Sequence, residues 1–240
     1  MVYGPLLPVP IRVLRPLAGL FDRLLPLRCL VCAEAGADGL DLCRDCRAAL
    51  PATGHACASC ALPLPAPGRC GHCLRRPPPL HIARAAFVYA APLDRLLPRH
   101  KFRHDLAAGR LLARLMADAF VACERPQALV PVPLHRGRLR QRGYDQALEL
   151  ARPLAARLRL PLRADLLRRE RATAAQSELD AAARRRNLRG AFRVADRPLP
   201  DHVALVDDVM TTGATLHAAA TALHRAGVAR VDAWVCARVP

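Results

Sequence analysis

Residues 203–215 read VALVDDVMTTGAT, and no other stretch of the chain restricts its fold as tightly. Val203, Ala204, Leu205 and Val206 form an apolar run of the length and branching of a buried strand. Asp207 and Asp208 follow at its end. Val209 and Met210 then lead into a small, hydroxyl-rich turn of Thr211, Thr212, Gly213, Ala214 and Thr215, and residues 216–225 resume the apolar spacing of a helix. A buried strand turning into a helix is a building unit of open α/β sheets, which bind ligands beyond the carboxyl ends of their strands. Backbone N–H groups of the turn and helix N-terminus converge there on an anion. The threonine hydroxyls add donors, and Gly213, lacking Cβ, lets the backbone approach a phosphate closely. Carboxylates repel phosphate, so the two aspartates need a different partner. Adjacent acceptors fit a vicinal diol, and a divalent cation bridges an acid to a polyphosphate. A ribose 5-phosphate satisfies both ends. On a regular strand Asp207 and Asp208 face opposite sides of the sheet, which leaves open a structural role for one of them.

Residues 128–132 form another apolar strand, followed over 133–143 by PLHRGRLRQRG. Read as a basic loop, this segment suits a pyrophosphate group, because arginine forks hold phosphate oxygens two at a time. Arg136 and Arg142 are the leading candidates. Arginine-rich loops equally suit solvent or nucleic acid, but a position just after a strand favours a ligand. Both halves together suit a ribose phosphate that also bears a pyrophosphate, with a divalent cation between acid and polyphosphate. The basic cluster around Lys101, the only lysine in the chain, reads instead as a solvated helix junction. A polar segment over 168–187 has the length of a lid.

Eight of the ten cysteines fall in CxxC pairs: Cys29 and Cys32, Cys43 and Cys46, Cys57 and Cys60, Cys70 and Cys73. Two such knuckles supply the four thiolates of a closed structural zinc site, so the chain is expected to hold two zinc ions. The spacings favour sequential pairing and leave interleaved pairing open. A closed four-thiolate site offers no position to substrate, so this module stabilises and presents a surface. Cys123 and Cys236 stand in apolar contexts, where a lone cysteine is a small buried hydrophobe.

The organisation expected is an amphipathic segment over 1–28, a double zinc ribbon over 29–74, a proline-rich linker over 75–80 and an α/β domain over 81–240. Within 5–27, Arg12, Arg15, Asp22 and Arg23 interrupt the leucine-rich run, so no integral membrane segment is expected. Reduced cysteines in metal knuckles imply a cytoplasmic protein, with attachment to the inner face of the membrane as the lesser alternative. A net charge of +17 favours polyanionic partners, although nearly all the cations are arginine, as in alanine- and arginine-rich chains generally. Aromatic residues make up only 4% of the chain, too few for a base-stacking platform, so any DNA binding must rest on phosphate contacts.

The 203–215 segment resembles the signature of the type I phosphoribosyltransferases. Joined to the four CxxC pairs, to PVPLHRGRLRQRGYDQA and to RRRNLRGAF, it resembles the ComF family over nearly the whole chain. The resemblance implies a double zinc ribbon ahead of a parallel-sheet phosphoribosyltransferase-type domain, and an association with DNA uptake in natural transformation. It implies that Asp207 and Asp208 contact ribose hydroxyls while residues 209–215 hold the 5-phosphate of phosphoribosyl pyrophosphate, with His135 and Arg136 also on the ligand. In a Mg-assisted displacement, Asp207, Asp208, Arg136 and Arg142 would be the catalytic set as pyrophosphate leaves. Only the zinc module and residues 81–127 remain to recognise an acceptor. Two alternatives stand beside transfer: a non-catalytic sensor of the same ligand, and an uptake factor that binds single-stranded DNA and works with DNA-uptake proteins. Asp145 departs from the family pattern, where asparagine is common, and places a carboxylate near the arginine segment.

Overall fold

The structure, a computed structural model, describes residues 27–170 and 190–240. The expected N-terminal amphipathic helix therefore lies outside the described residues, as does the expected lid from residue 171 onward. Two compact units divide the chain, Met1–Ala48 and Ala49–Pro240.

In the first unit the chain doubles back through the bridges Arg28↔Ala35 and Ala37↔Leu40 and ends in the short helix α1 (Arg44–Ala48). Ala33, directly after Cys32, takes a left-handed φ of 68°, and its N–H donates to the Cys29 carbonyl at 2.9 Å. This tight turn brings the first pair of sulfurs together. The second unit opens with the same device: Ala61, directly after Cys60, has φ 55° and donates to the Cys57 carbonyl at 2.8 Å.

The second unit then contains, in chain order, α2 (Gly71–Arg75), β1 (Ala83–Val88), α3 (Leu93–Phe102), α4 (Leu106–Phe120) and β2 (Ala128–Pro131). It continues with α5 (Arg136–Arg142), α6 (Gln146–Leu158), β3 (Leu167–Arg169), β4 (Phe192–Val194), β5 (His202–Met210), α7 (Ala214–Arg225) and β6 (Arg230–Arg238). Four strands make a sheet in the order β1-β6-β5-β2, every pair parallel. A central parallel strand is covered on both faces, which is why residues 203–206 are uninterruptedly apolar and fully buried. Val203 and Leu205 join Leu216, Ala219, Ala220 and Leu223 of α7 in one apolar cluster. On the opposite face α4 and α6 pack together against the sheet, and Phe120 meets Trp234 at 5.1 Å between ring centroids. β3 and β4 form a separate antiparallel pair.

Three expectations need correction. The arginine segment is not a loop but a helix: the His135 ring accepts the Gly137 N–H at 3.1 Å to cap its start, and Gly143, at φ 76°, ends it. The strand carrying the aspartates does not stop before them, because β5 runs on through Met210 in register with β6. The start of the expected lid is ordered strand, with Arg168 and Arg169 paired to Arg193 and Phe192.

The second cysteine cluster is built onto the sheet. Cys57, Cys60 and Cys73 share an apolar cluster with Ala83, Ala85 and Val235, and the Ala83 N–H donates to the Ala58 carbonyl at 2.8 Å. The sequence boundary at 75–80 follows composition, whereas packing groups 57–73 with the strands. Among the described residues no helix is long and apolar enough to cross a membrane.

Candidate functional site

The eight paired cysteines gather into two clusters, Cys29, Cys32, Cys43 and Cys46 in one and Cys57, Cys60, Cys70 and Cys73 in the other. Pairing is therefore sequential, which the spacing alone leaves open. Within each cluster the sulfurs lie within 4.8 Å of one another, with Cys32–Cys43 and Cys60–Cys70 at 3.7 Å. Zn–S bonds of about 2.3 Å in a tetrahedron require sulfurs about 3.8 Å apart, so both clusters fit zinc. Four thiolates close each site and leave substrate no place on the metal.

The other candidate site lies at the carboxyl end of β5. One cleft there is lined by Asp207, Asp208, Val209, Met210, Thr211, Thr212, Gly213, Ala214 and Thr215, the aspartates and the whole turn expected to hold the ligand. Gly213 has φ 74°, and a Cβ on it would come within 2.5 Å of the Met210 Cε and 2.9 Å of the His217 Nε2. Glycine is needed there for its conformation, and its missing Cβ leaves room for these two side-chain ends. It caps α7, whose first residues line the cleft, and the Thr212 hydroxyl accepts the Ala214 N–H at 3.4 Å.

Asp207 and Asp208 both line this cleft although they alternate along the strand. Asp207 accepts the Asp208 N–H at 2.9 Å, and Asp208 accepts the Val209 N–H at 2.8 Å. The second oxygen of Asp208 pairs with the Lys101 ammonium at 2.8 Å. Burial, and then the Asp208 charge beside it, push Asp207 well above the ordinary carboxylate range. At Asp208 burial pushes the same way, but Lys101 outweighs it and holds the carboxyl below its ordinary value. These are the acidic residues among the cleft lining, and their hard oxygen donors are the type Mg takes.

Opposite the aspartates, Arg142 and Arg138 of α5 line the cleft, joined by Arg169 of β3. The helical phase explains the selection, because residues four apart share a face. Arg138 and Arg142 turn to the cleft together, while His135 and Arg136 are outside its lining. Arg169 is 8% exposed; burial, then the nearby Arg138 charge, lower its pKa, and Asp207 pulls it back up. Asp145 does not line the cleft. Its carboxylate accepts the N–H groups of Ala147 at 3.1 Å, Leu148 at 3.2 Å and Leu134 at 3.0 Å, so it caps α6 and ties down the chain after β2.

Sequence reasoning therefore missed Lys101, Arg138 and Arg169. Arg138 was legible had the arginine segment been read as helical. Lys101 carried one signal, its being the single lysine among 37 lysines and arginines. Of its basic neighbours, His100 is wholly buried and Arg99 pairs with Asp105 at 2.7 Å, while Arg103 and His104 are exposed as expected. Arg169 had no signal, since its position depends on the pairing of β3 with β4.

A parallel sheet with an acidic pair and a glycine turn at one strand end, joined to two four-cysteine clusters, defines a zinc-ribbon protein with a phosphoribosyltransferase-type domain. Comparison with known families agrees: residues 20–74 match the double zinc ribbon domain and residues 145–240 the phosphoribosyl transferase domain. The chain is 37% identical over 216 residues to the DNA utilization protein YhgH of Salmonella typhi, covering 88% of this chain and 89% of that one. It is 37% identical over 178 residues to Competence protein F of Haemophilus influenzae, covering 70% of this chain and 78% of the relative. Competence protein ComFC of Bacillus subtilis is 28% identical over 201 residues, or 78% and 80% of the two chains. The chain belongs to the ComF family.

Proposed function

We propose that the cleft at the end of β5 binds phosphoribosyl pyrophosphate with Mg, and that the protein serves the handling of incoming DNA. The observation that carries the binding half is the division of one cleft into an acidic edge, a phosphate-sized glycine turn and an arginine edge. Asp207 and Asp208 accept from the ribose hydroxyls, the 211–215 turn and the start of α7 hold the 5-phosphate, and Arg138, Arg142 and Arg169 face the diphosphate. Mg held at the aspartates would offset the diphosphate charge. The DNA half rests on the names of the relatives, competence and DNA utilization, and on a net charge of +17.

Ribose 5-phosphate provides the test, because it fits the turn and the acidic edge but does not reach the arginines. Calorimetry on zinc-loaded protein with Mg should show phosphoribosyl pyrophosphate binding at least about tenfold tighter than ribose 5-phosphate, and Arg142→Gln should narrow the gap. Equal affinity for the two sugars, or no uptake of either, contradicts the reading.

A further inference from the structure

The last turn of α3 grips the cleft with three consecutive residues. His100 sits on the buried stripe formed with Leu93, Leu96 and Leu97, and its Nε2 donates to the Gln146 carbonyl at 3.1 Å. Phe102 lies 5.4 Å beneath the Arg142 guanidinium, which also donates to the Gln146 side chain at 3.0 Å. Between them, Lys101 reaches the end of β5 and closes on Asp208 at 2.8 Å. The helix is thus keyed on both sides of Lys101, and the ammonium is delivered to one carboxylate of the acidic pair.

Asp208 is only 3% exposed, and a carboxylate this deep requires a counter-charge whether or not a ligand is present. Lys101 supplies it from a side chain that is itself 29% exposed, less deeply placed than the carboxylate it meets. The residue type fits such a role. Elsewhere this chain uses arginine for its cations, and a planar guanidinium fork locks onto a carboxylate, whereas an ammonium on a flexible stem is a point charge that moves. A divalent cation on Asp208 competes with that ammonium, because one carboxylate oxygen already accepts the Val209 N–H and the other meets Lys101.

We infer that Lys101 is a resident counter-ion that holds the place of a divalent cation at Asp208 and is exchanged for it when the cation enters. This rests on the reading of the acidic pair given under Proposed function. As a tethered competitor, Lys101 keeps the cation affinity of the sugar-free protein low, so that cation and polyphosphate load together.

The test uses Mn²⁺ alone as the probe, with zinc-loaded protein, no sugar, and free Mn²⁺ counted by electron paramagnetic resonance. Lys101→Met should bind Mn²⁺ about tenfold more tightly than the natural protein, as removal of a tethered competitor requires. Lys101→Gln, which keeps a hydrogen-bond donor for Asp208, should show the same direction and serves if the methionine variant does not fold. Lys101→Arg should remain weak, and adding Asp208→Asn to Lys101→Met should abolish the gain. Arg142→Gln controls for loss of a positive charge lining the same cleft. Unchanged or weaker Mn²⁺ binding in the Met and Gln variants overturns the inference, as does an equal gain in Arg142→Gln or a gain that survives Asp208→Asn. Failure of phosphoribosyl pyrophosphate to bind would remove the functional reading and leave this comparison intact.

Discussion

His100 shows how much one buried side chain can carry. Burial holds its imidazole below the ordinary 6.5, and the Gln146 carbonyl only partly offsets this. The unfolded chain therefore takes up the proton first. The contribution of His100 to stability is complete above pH 6.5 and is lost as pH falls toward the lower folded value. Urea melts at about pH 7.5 and about pH 5.5 should show the stability gap between the natural protein and His100→Gln shrinking at the acid end. A gap that widens would mean the folded state prefers the charged ring. At this scale the sequence was informative where chemistry is local. The aspartates, threonines and Gly213 announce a phosphate site by type and spacing, because the strand and turn that align them are contiguous. The roles of Lys101 and Arg169 were not legible because their meaning comes from residues more than twenty positions away: Asp208 for one, the β3–β4 pairing for the other.

Helical phase decides the arginine edge. Reading 133–143 as a loop put forward Arg136 and Arg142, whereas α5 turns Arg138 and Arg142 to the cleft and leaves Arg136 outside the lining. The cap explains the miss, since a histidine ring stands at the N-terminus where Ser, Thr, Asp or Asn is the usual signal. Other elements were legible from periodicity, among them residues 216–225 as a helix and 128–132 as a strand. The turn between β5 and α7 gives the element-scale prediction. Gly213→Ala puts a side chain on a backbone at φ 74°, a conformation strained for any residue but glycine, and crowds the Met210 Cε and the His217 ring. Phosphoribosyl pyrophosphate affinity should fall at least about tenfold by calorimetry while the circular dichroism stays native, because the cost falls on the ligand's backbone donors. Unaltered affinity would show that the turn does not touch the phosphate.

Across the whole molecule, sequence composition separated a cysteine module from a sheet domain, and the structure adds that the second cluster belongs to the sheet's core. Composition registers prolines and cysteines, but not that Cys57, Cys60 and Cys73 bury against Ala83 and Val235. Arg238 at the end of β6 ties the two, donating to the Cys60 carbonyl at 2.8 Å and to the Met210 carbonyl at 3.2 Å. Zinc removal should therefore reach the strands. Trp234, the only tryptophan, is buried in β6 and reports on them directly. Chelation, or Cys57→Ser with Cys60→Ser, should lower the unfolding temperature followed by Trp234 fluorescence; a transition unmoved by zinc loss would show that the second cluster folds apart from the sheet. The central claim, that the acidic pair and the glycine turn form one sugar-phosphate site, is tested most directly by titrating phosphoribosyl pyrophosphate with Mg into zinc-loaded protein and into Asp207→Asn, Asp208→Asn protein. Saturable binding to the first and none to the second is the predicted result, and equal affinity of the two proteins would contradict it.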